Sequence, residues 1–204
     1  DIDEAYMARL ESLLLDPELV QSQSDLKIGF TNIHGTGGTI ALQMLRRRGF
    51  HCDTVPAQDT EDGAFPTVKS PNPENAEALQ MGIDQAEASG ADIVIGTDPD
   101  CDRMGVVVRN GEGKMTLLTG NQIGSLMAYY RLLKFTEKGI VNEGNRDHAV
   151  IVKTLVTTEL QTAIASSFHI GVVNTLTGFK YIGAKLRKYE TAIPEELRTD
   201  YRNL

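Results

Sequence analysis

Asp92-Ile93-Val94-Ile95-Gly96-Thr97-Asp98-Pro99-Asp100-Cys101-Asp102-Arg103 runs from a short apolar segment straight into three aspartates at alternate positions. The apolar part is β-branched and unbroken, the pattern of a buried strand in an α/β sheet. Three carboxylates on one tight loop repel one another strongly unless a cation stands between them. Hard divalent cations take several oxygen ligands, and Mg²⁺ combines carboxylates with substrate phosphate. Asp98, Asp100 and Asp102 are therefore candidate metal ligands. A merely solvated acidic loop is the plainer alternative, and the repulsion counts against it.

Outward from this loop, strands and helices alternate at lengths that suit parallel α/β units. Upstream, residues 2–15 carry Ile2, Tyr6, Leu10, Leu13 and Leu14 at helical spacing. Residues 26–30 read as a strand, 39–48 as a helix ended by Gly49, and 51–55 as a second strand. Pro66, Pro71, Pro73 and Gly63 make residues 56–73 a loop. A helix follows from Glu74 to Ser89 with Gly90 as its stop. Downstream, Met104–Arg109 and Lys114–Leu118 form a predicted hairpin turning at Asn110-Gly111. A second series begins near Thr119, with a helix over 122–134, a loop over 137–148, and a strand over 149–152. A helix over 158–166, a strand over 170–173 and a helix over 178–189 come next, and residues 195–201 read as one more helix. This places a domain boundary near Leu118, giving residues 1–118 and 119–204. The second unit is short and lacks an obvious closing strand, so it reads as incomplete.

The bulk properties exclude several classes. The 204 residues are 41% hydrophobic and 24% charged, enough for one or two cores. No window of 18 apolar residues occurs, so a membrane span is not expected. A net charge of −8 disfavours nucleic acid and anionic membrane. The one basic run, Arg46-Arg47-Arg48, ends a predicted helix, where cations suit the dipole. The N-terminus is acidic, without the order of a signal peptide, and begins without Met, which reads as a processed or cut product. Cys52 and Cys101 form no CxxC pair; free thiols point to a reducing compartment, the cytoplasm.

Several further motifs stand in a fixed order around the carboxylate loop. Asn32-Ile33-His34-Gly35-Thr36-Gly37-Gly38 and Phe65-Pro66-Thr67-Val68 precede it, as does Pro71-Asn72-Pro73-Glu74. Thr175-Leu176-Thr177-Gly178-Phe179-Lys180-Tyr181-Ile182-Gly183 follows it. Across nearly the whole chain this order resembles the α-D-phosphohexomutases, the phosphoglucomutase and phosphomannomutase family. The DPDxDR and PNPE elements carry most of the specificity. The resemblance implies an α/β fold of two consecutive mixed-sheet domains, the second of four family domains and most of the third. It implies an isomerase that moves a phosphoryl group between the 1- and 6-positions of a sugar, through a phosphoserine and a sugar bisphosphate. It implies that Asp98, Asp100 and Asp102 hold Mg²⁺, and that Asp102 and Arg103 face the substrate phosphate or sugar. Thr177 and Gly178 match the sugar-phosphate loop of the third domain, and the expected partners are a phosphosugar, such as glucose 1-phosphate, and its bisphosphate. Cys101 stands where the family carries a small residue. The wording TLTGFKYIG leans toward the phosphoglucomutase and phosphopentomutase-related branch. No Thr-x-Ser-His-Asn-Pro segment occurs, so the family nucleophile is absent and the chain alone is expected to show no turnover.

Each motif also has a plainer reading. Thr177 could simply cap a helix, with Gly178 easing the turn. His34 could reach an active cleft and the glycines after it could present N–H groups to a phosphate, but a strand-to-helix turn that needs small residues is preferred, and no Lys-Ser/Thr completes a Walker pattern. His51, His148 and His169 have no ligand spacing. Pro71–Glu74 suits a rigid lead into a helix. An EF-hand is poor, since position 6 is Arg103 and position 12 is Arg109. The alternative function is a non-catalytic divalent-metal-binding α/β protein.

Overall fold

Five strands of the first unit are held in the order β2-β1-β3-β4-β5, built from β1 (Lys27–Thr31), β2 (His51–Thr54), β3 (Ile93–Thr97), β4 (Met104–Arg109) and β5 (Met115–Leu117). β1 pairs in parallel with both β2 and β3, while β4 and β5 are added antiparallel. The sheet is therefore mixed. The computed structural model describes residues 2–192 and divides into two units, Asp1–Ile123 and Gly124–Leu204.

The helices of the first unit are α1 (Ile2–Ser12), α2 (Pro17–Ser22), α3 (Gly37–Arg47) and α4 (Ala76–Ser89). They cover opposite sheet faces because strand side chains alternate. Ile28 and Phe30 of β1 pack with Leu42 of α3 and Cys52 of β2. Val94 of β3 and Val107 of β4 pack with Ala78, Leu79 and Ala86 of α4. β1 thus lies between the two strands its helices lead to. The loops leaving β1 and β3 emerge side by side at the strands' C-terminal ends, the switch point where α/β sheets place their ligands.

Several boundaries move from the sequence expectation for local reasons. α3 starts at Gly37, two residues earlier than expected, with Thr36 as N-cap. α4 starts at Ala76, because Asn72 Oδ1 accepts the Glu74 N–H and holds residues 72–75 in a turn. It ends as expected at Gly90, whose φ of +71° suits a glycine. α2 is an addition: Asp16 caps it by accepting the Leu19 N–H, and Pro17 opens it. Pro56–Gln58 forms one 3₁₀ turn inside the expected loop. The basic run does end α3. Arg47 pairs with Glu4 and Arg48 with Glu11, tying α3 to α1.

α5 (Gly120–Glu137) begins at a capping box, in which Thr119 and Gln122 exchange hydrogen bonds. The second unit continues with β6 (Val150–Thr154), α6 (Leu160–Ser167), β7 (Gly171–Thr175) and α7 (Phe179–Ala192). β6 and β7 pair in parallel, Val150 opposite Gly171. Leu132, Ala165 and Ile170 form its core with Ile151, Phe168 and Val172. The helix expected over 195–201 lies outside the described residues. No described helix is long and apolar enough to cross a membrane.

Candidate metal centre

β3 delivers the three aspartates to the C-terminal edge of the sheet. The carboxylates of Asp98, Asp100 and Asp102 each offer an oxygen within 4.8 Å of the others. Asp98 is fully buried, while Asp100 and Asp102 are exposed. The loop is closed by backbone bonds from Asp98 N–H to Arg103 O and from Cys101 N–H to Asp98 O. Cys101 sits at the turn with φ +59°, a left-handed conformation uncommon for a residue with a side chain.

Arg103 organises the buried end. Its backbone N–H donates to Asp98 Oδ1 at 2.9 Å and its Nε to Asp98 Oδ2 at 2.8 Å. Its Nε is also 3.6 Å from Asp102. Burial works against the charge on Asp98, but the Arg103 donors outweigh it and hold the carboxyl below its ordinary range. Asp102 moves the other way: its hydrogen bond with Asp98 and the charge of Asp100 push its carboxyl up. Opposed shifts of this kind mark carboxylates crowded at one point. An all-oxygen, anionic donor set on a closed loop fits a hard divalent cation, and a cation here would offset the negative charge gathered on the three carboxylates.

The HGTGG segment lies against this loop. The N–H of Thr36 donates to Pro99 O at 2.9 Å, and its hydroxyl to the same oxygen at 3.2 Å. His34 is buried rather than open to a cleft, with its ring nitrogens on Thr60 O and Thr67 Oγ1 and its backbone N–H on Gln58 O. Gln58 joins the same network through Thr31 and Thr67. The Phe65–Val68 stretch is thereby anchored to the β1 turn, and sequence reasoning missed Gln58 because a lone glutamine carries no motif. On the α3 side of the loop, Phe30, Met44, Phe50 and Ile95 line an apolar cavity of about 680 Å³ that reaches Asp102 and Arg103.

In the second unit, Thr177 and Gly178 lie between β7 and α7. Thr177 is exposed and makes no hydrogen bond among the described residues, so it does not cap α7. Gly178 has φ +123°, closed to side-chain-bearing residues, and its carbonyl accepts the Tyr181 N–H. At the adjacent end of β6 a buried Lys153 donates to Thr157 O at 3.1 Å and Glu159 Oε1 at 2.9 Å. Within a run reading Val-Lys-Thr, nothing marked that lysine as buried.

Comparison with known proteins agrees with the fold and the motif order. Residues 4–112 match the family profile described as phosphoglucomutase/phosphomannomutase, alpha/beta/alpha domain II, and residues 119–196 match domain III. A phosphoglucomutase of Staphylococcus epidermidis is 39% identical over 166 residues, covering 81% of this chain and 29% of the relative. The chain thus spans about three tenths of that relative's length. A phosphoglucomutase/phosphomannomutase family protein from Burkholderia thailandensis superposes with a TM-score of 0.67 at 21% identity, over 92% of this chain and 36% of that one. Aspergillus fumigatus N-acetylphosphoglucosamine mutase, solved in complex with GlcNAc-6P and magnesium, superposes with a TM-score of 0.57 at 16% identity, over 84% of this chain and 35% of that one. These structural likenesses speak for the fold. The chain belongs to the phosphoglucomutase/phosphomannomutase family and carries the sequence of its domains II and III.

Proposed function

We propose that this chain supplies the Mg²⁺ site and the sugar-phosphate loop of a phosphosugar mutase. The reaction is the interconversion of a hexose 1-phosphate and 6-phosphate, or of the pentose equivalents, through a phosphoserine and a sugar bisphosphate. The observation that carries this reading is the convergence of three carboxylates on one loop, the buried one locked by Arg103. Asp98, Asp100 and Asp102 are the residues that would hold the ion. When bound, it neutralises charge on a phosphoryl group, which is most of what catalysis of phosphoryl transfer demands.

The chain's own residues then divide the work. Asp98, fixed by two Arg103 donors, sets the geometry of the loop. Asp100 and Asp102, both exposed, remain able to turn toward a cation. The Arg103 side chain is half exposed, and its terminal nitrogens form no bond among the described residues, which leaves them to donate to a phosphate or sugar oxygen. Thr177 offers an unused hydroxyl, and Gly178 lets the backbone take a turn at the start of α7. We place the boundary between the two domains near Leu118. Two unpaired cysteines suit a reducing, cytoplasmic setting.

The chain contains no Thr-x-Ser-His-Asn-Pro segment, so the nucleophile is absent from it and it turns over no substrate alone. The test has two parts. Mn²⁺ titrated into the protein and followed by electron paramagnetic resonance should show one saturable site that Mg²⁺ displaces and that Asp100→Asn weakens. A coupled assay with glucose 1-phosphate should stay at background. Absence of any saturable ion binding removes the metal assignment; metal-dependent turnover by the pure chain removes the division of labour.

A further inference from the structure

We propose that Gly35, Thr36 and Gly37 form a seat that sets where the carboxylates of residues 98–102 stand, which makes the two glycines positioning residues of the metal centre. The functional weight of this seat rests on the metal reading above; its geometry does not. Sequence patterning gives these glycines to a turn, but neither has the left-handed φ for which a turn would require glycine. The constraint is close approach. A Cβ built on Gly35 would lie 2.2 Å from Pro99 Cα and 2.5 Å from Pro99 O. A Cβ built on Gly37 would lie 2.2 Å from Thr97 Oγ1, 3.2 Å from Thr97 Cβ and 3.4 Å from Cys101 Sγ. Gly38, the next residue, is different: its nearest neighbour, Asn32 Nδ2, would be 3.6 Å away, an ordinary contact.

Two hydrogen bonds from Thr36 to Pro99 O hold the faces together. Thr36 is the N-cap of α3, yet its hydroxyl forms no capping bond and goes to the carboxylate loop instead. The seat is itself braced. Asn32 Nδ2 donates to Gly35 O at 2.6 Å, and the buried His34 ties the turn to residues 58–67. Seat and carboxylate loop are both held from within, so a side chain added between them strains their contact directly. A methyl group on Gly37 moves Thr97, the residue that precedes Asp98, and presses on Cys101.

The two glycines differ in what can relieve them. Gly35 meets backbone, which no side-chain substitution removes. Gly37 meets mainly a hydroxyl, and Thr97 Oγ1 is buried without a hydrogen-bond partner. Deleting that hydroxyl sacrifices no hydrogen bond and removes the 2.2 Å clash, leaving the new methyl in tight but tolerable contact with Thr97 Cβ at 3.2 Å and Cys101 Sγ at 3.4 Å. This gives a double-mutant cycle whose sign is fixed in advance.

The cycle compares the parent chain, Gly37→Ala, Thr97→Ala and the double variant, with Gly38→Ala as the neutral control. Iodoacetamide alkylation of exposed Cys101, read by mass spectrometry, reports loop position without any metal. Mn²⁺ affinity by electron paramagnetic resonance reports the site. Gly37→Ala should change the Cys101 rate at least fivefold and weaken Mn²⁺ at least tenfold, while Thr97→Ala and Gly38→Ala stay within twofold of the parent. The double variant should return to within twofold on both readouts. Should Gly37→Ala fail to fold, recovery of fold and parent-like alkylation in the double variant supports the seat equally. A parent-like Gly37→Ala overturns the proposal, and so does a defect that Thr97→Ala leaves uncorrected. If the parent binds no Mn²⁺, the metal reading fails by itself, and the alkylation cycle still decides the seat.

Discussion

Asp98 and Asp100 carry the same carboxyl group two residues apart, yet the loop asks different things of them. Asp98 is buried and accepts two bonds from Arg103; Asp100 is exposed and accepts none among the described residues. Asp98→Asn halves the acceptor capacity facing a guanidinium and removes the opposing charge, so it should cost about 1–3 kcal/mol in chemical denaturation even without metal. Asp100→Asn should leave that stability within about 0.5 kcal/mol and still weaken Mn²⁺ by at least about 10–100-fold, since even indirect disturbance of a ligand costs this much. Equal stability loss in the two variants would refute the separation of a structural from a purely ligating carboxylate. The three aspartates were legible in the sequence because like charges at such spacing demand an explanation. Their inequality was not, because burial of Asp98 depends on Arg103 folding back over five residues.

Elements were legible where the period and the stop signals agreed. α4 ends at the expected glycine, and the Asn110-Gly111 turn closes the expected hairpin, with Asn110 Oδ1 accepting from both Glu112 and Lys114 N–H groups. What escaped was the joint between these two elements. Arg109, notable in the sequence only as a wrong EF-hand residue, donates to Ala86 O, Ala91 O and Gly113 O. It satisfies carbonyls at the end of α4 while holding the hairpin turn. Arg109→Met should cost about 1–3 kcal/mol in urea denaturation and leave Mn²⁺ affinity unchanged; a matched loss of ion binding would place Arg109 in the site instead. A second joint ties β6 to α6 through Lys153 and Glu159. The Lys153 ammonium, then the Thr162 hydroxyl, hold the Glu159 carboxyl below its ordinary range. A depressed carboxyl contributes stability that is present above its unfolded value and is lost as pH falls through the folded one. Glu159→Gln should therefore lower the melting temperature of the second unit at pH 7, and the difference should vanish well below pH 4. A gap that persisted into strong acid would mean that packing, not charge, links the two elements.

The chain as a whole joins two units with separate cores, and only the first holds a cluster of acidic side chains fit for a cation among the described residues. Sequence alternation showed that there were two series of elements. It could not show that β4 would pair antiparallel with β3 at the edge of a parallel trio, since a hairpin pairs locally whichever sheet edge receives it. A cation that binds only the folded first unit stabilises that unit by mass action, about 2.7 kcal/mol at a hundredfold excess over its dissociation constant. The second unit gains nothing unless the two unfold together. Hydrogen exchange read by mass spectrometry can tell these apart peptide by peptide. With Mg²⁺ present, peptides spanning residues 92–109 and the seat at 32–38 should exchange more slowly, while those from β6 and β7 keep their rates. The same Mg²⁺ should change nothing in Asp100→Asn. Protection confined to the second unit, or spread evenly over both in the Asp100→Asn variant, would move the ion away from Asp98, Asp100 and Asp102 and leave the carboxylate loop without its assigned role.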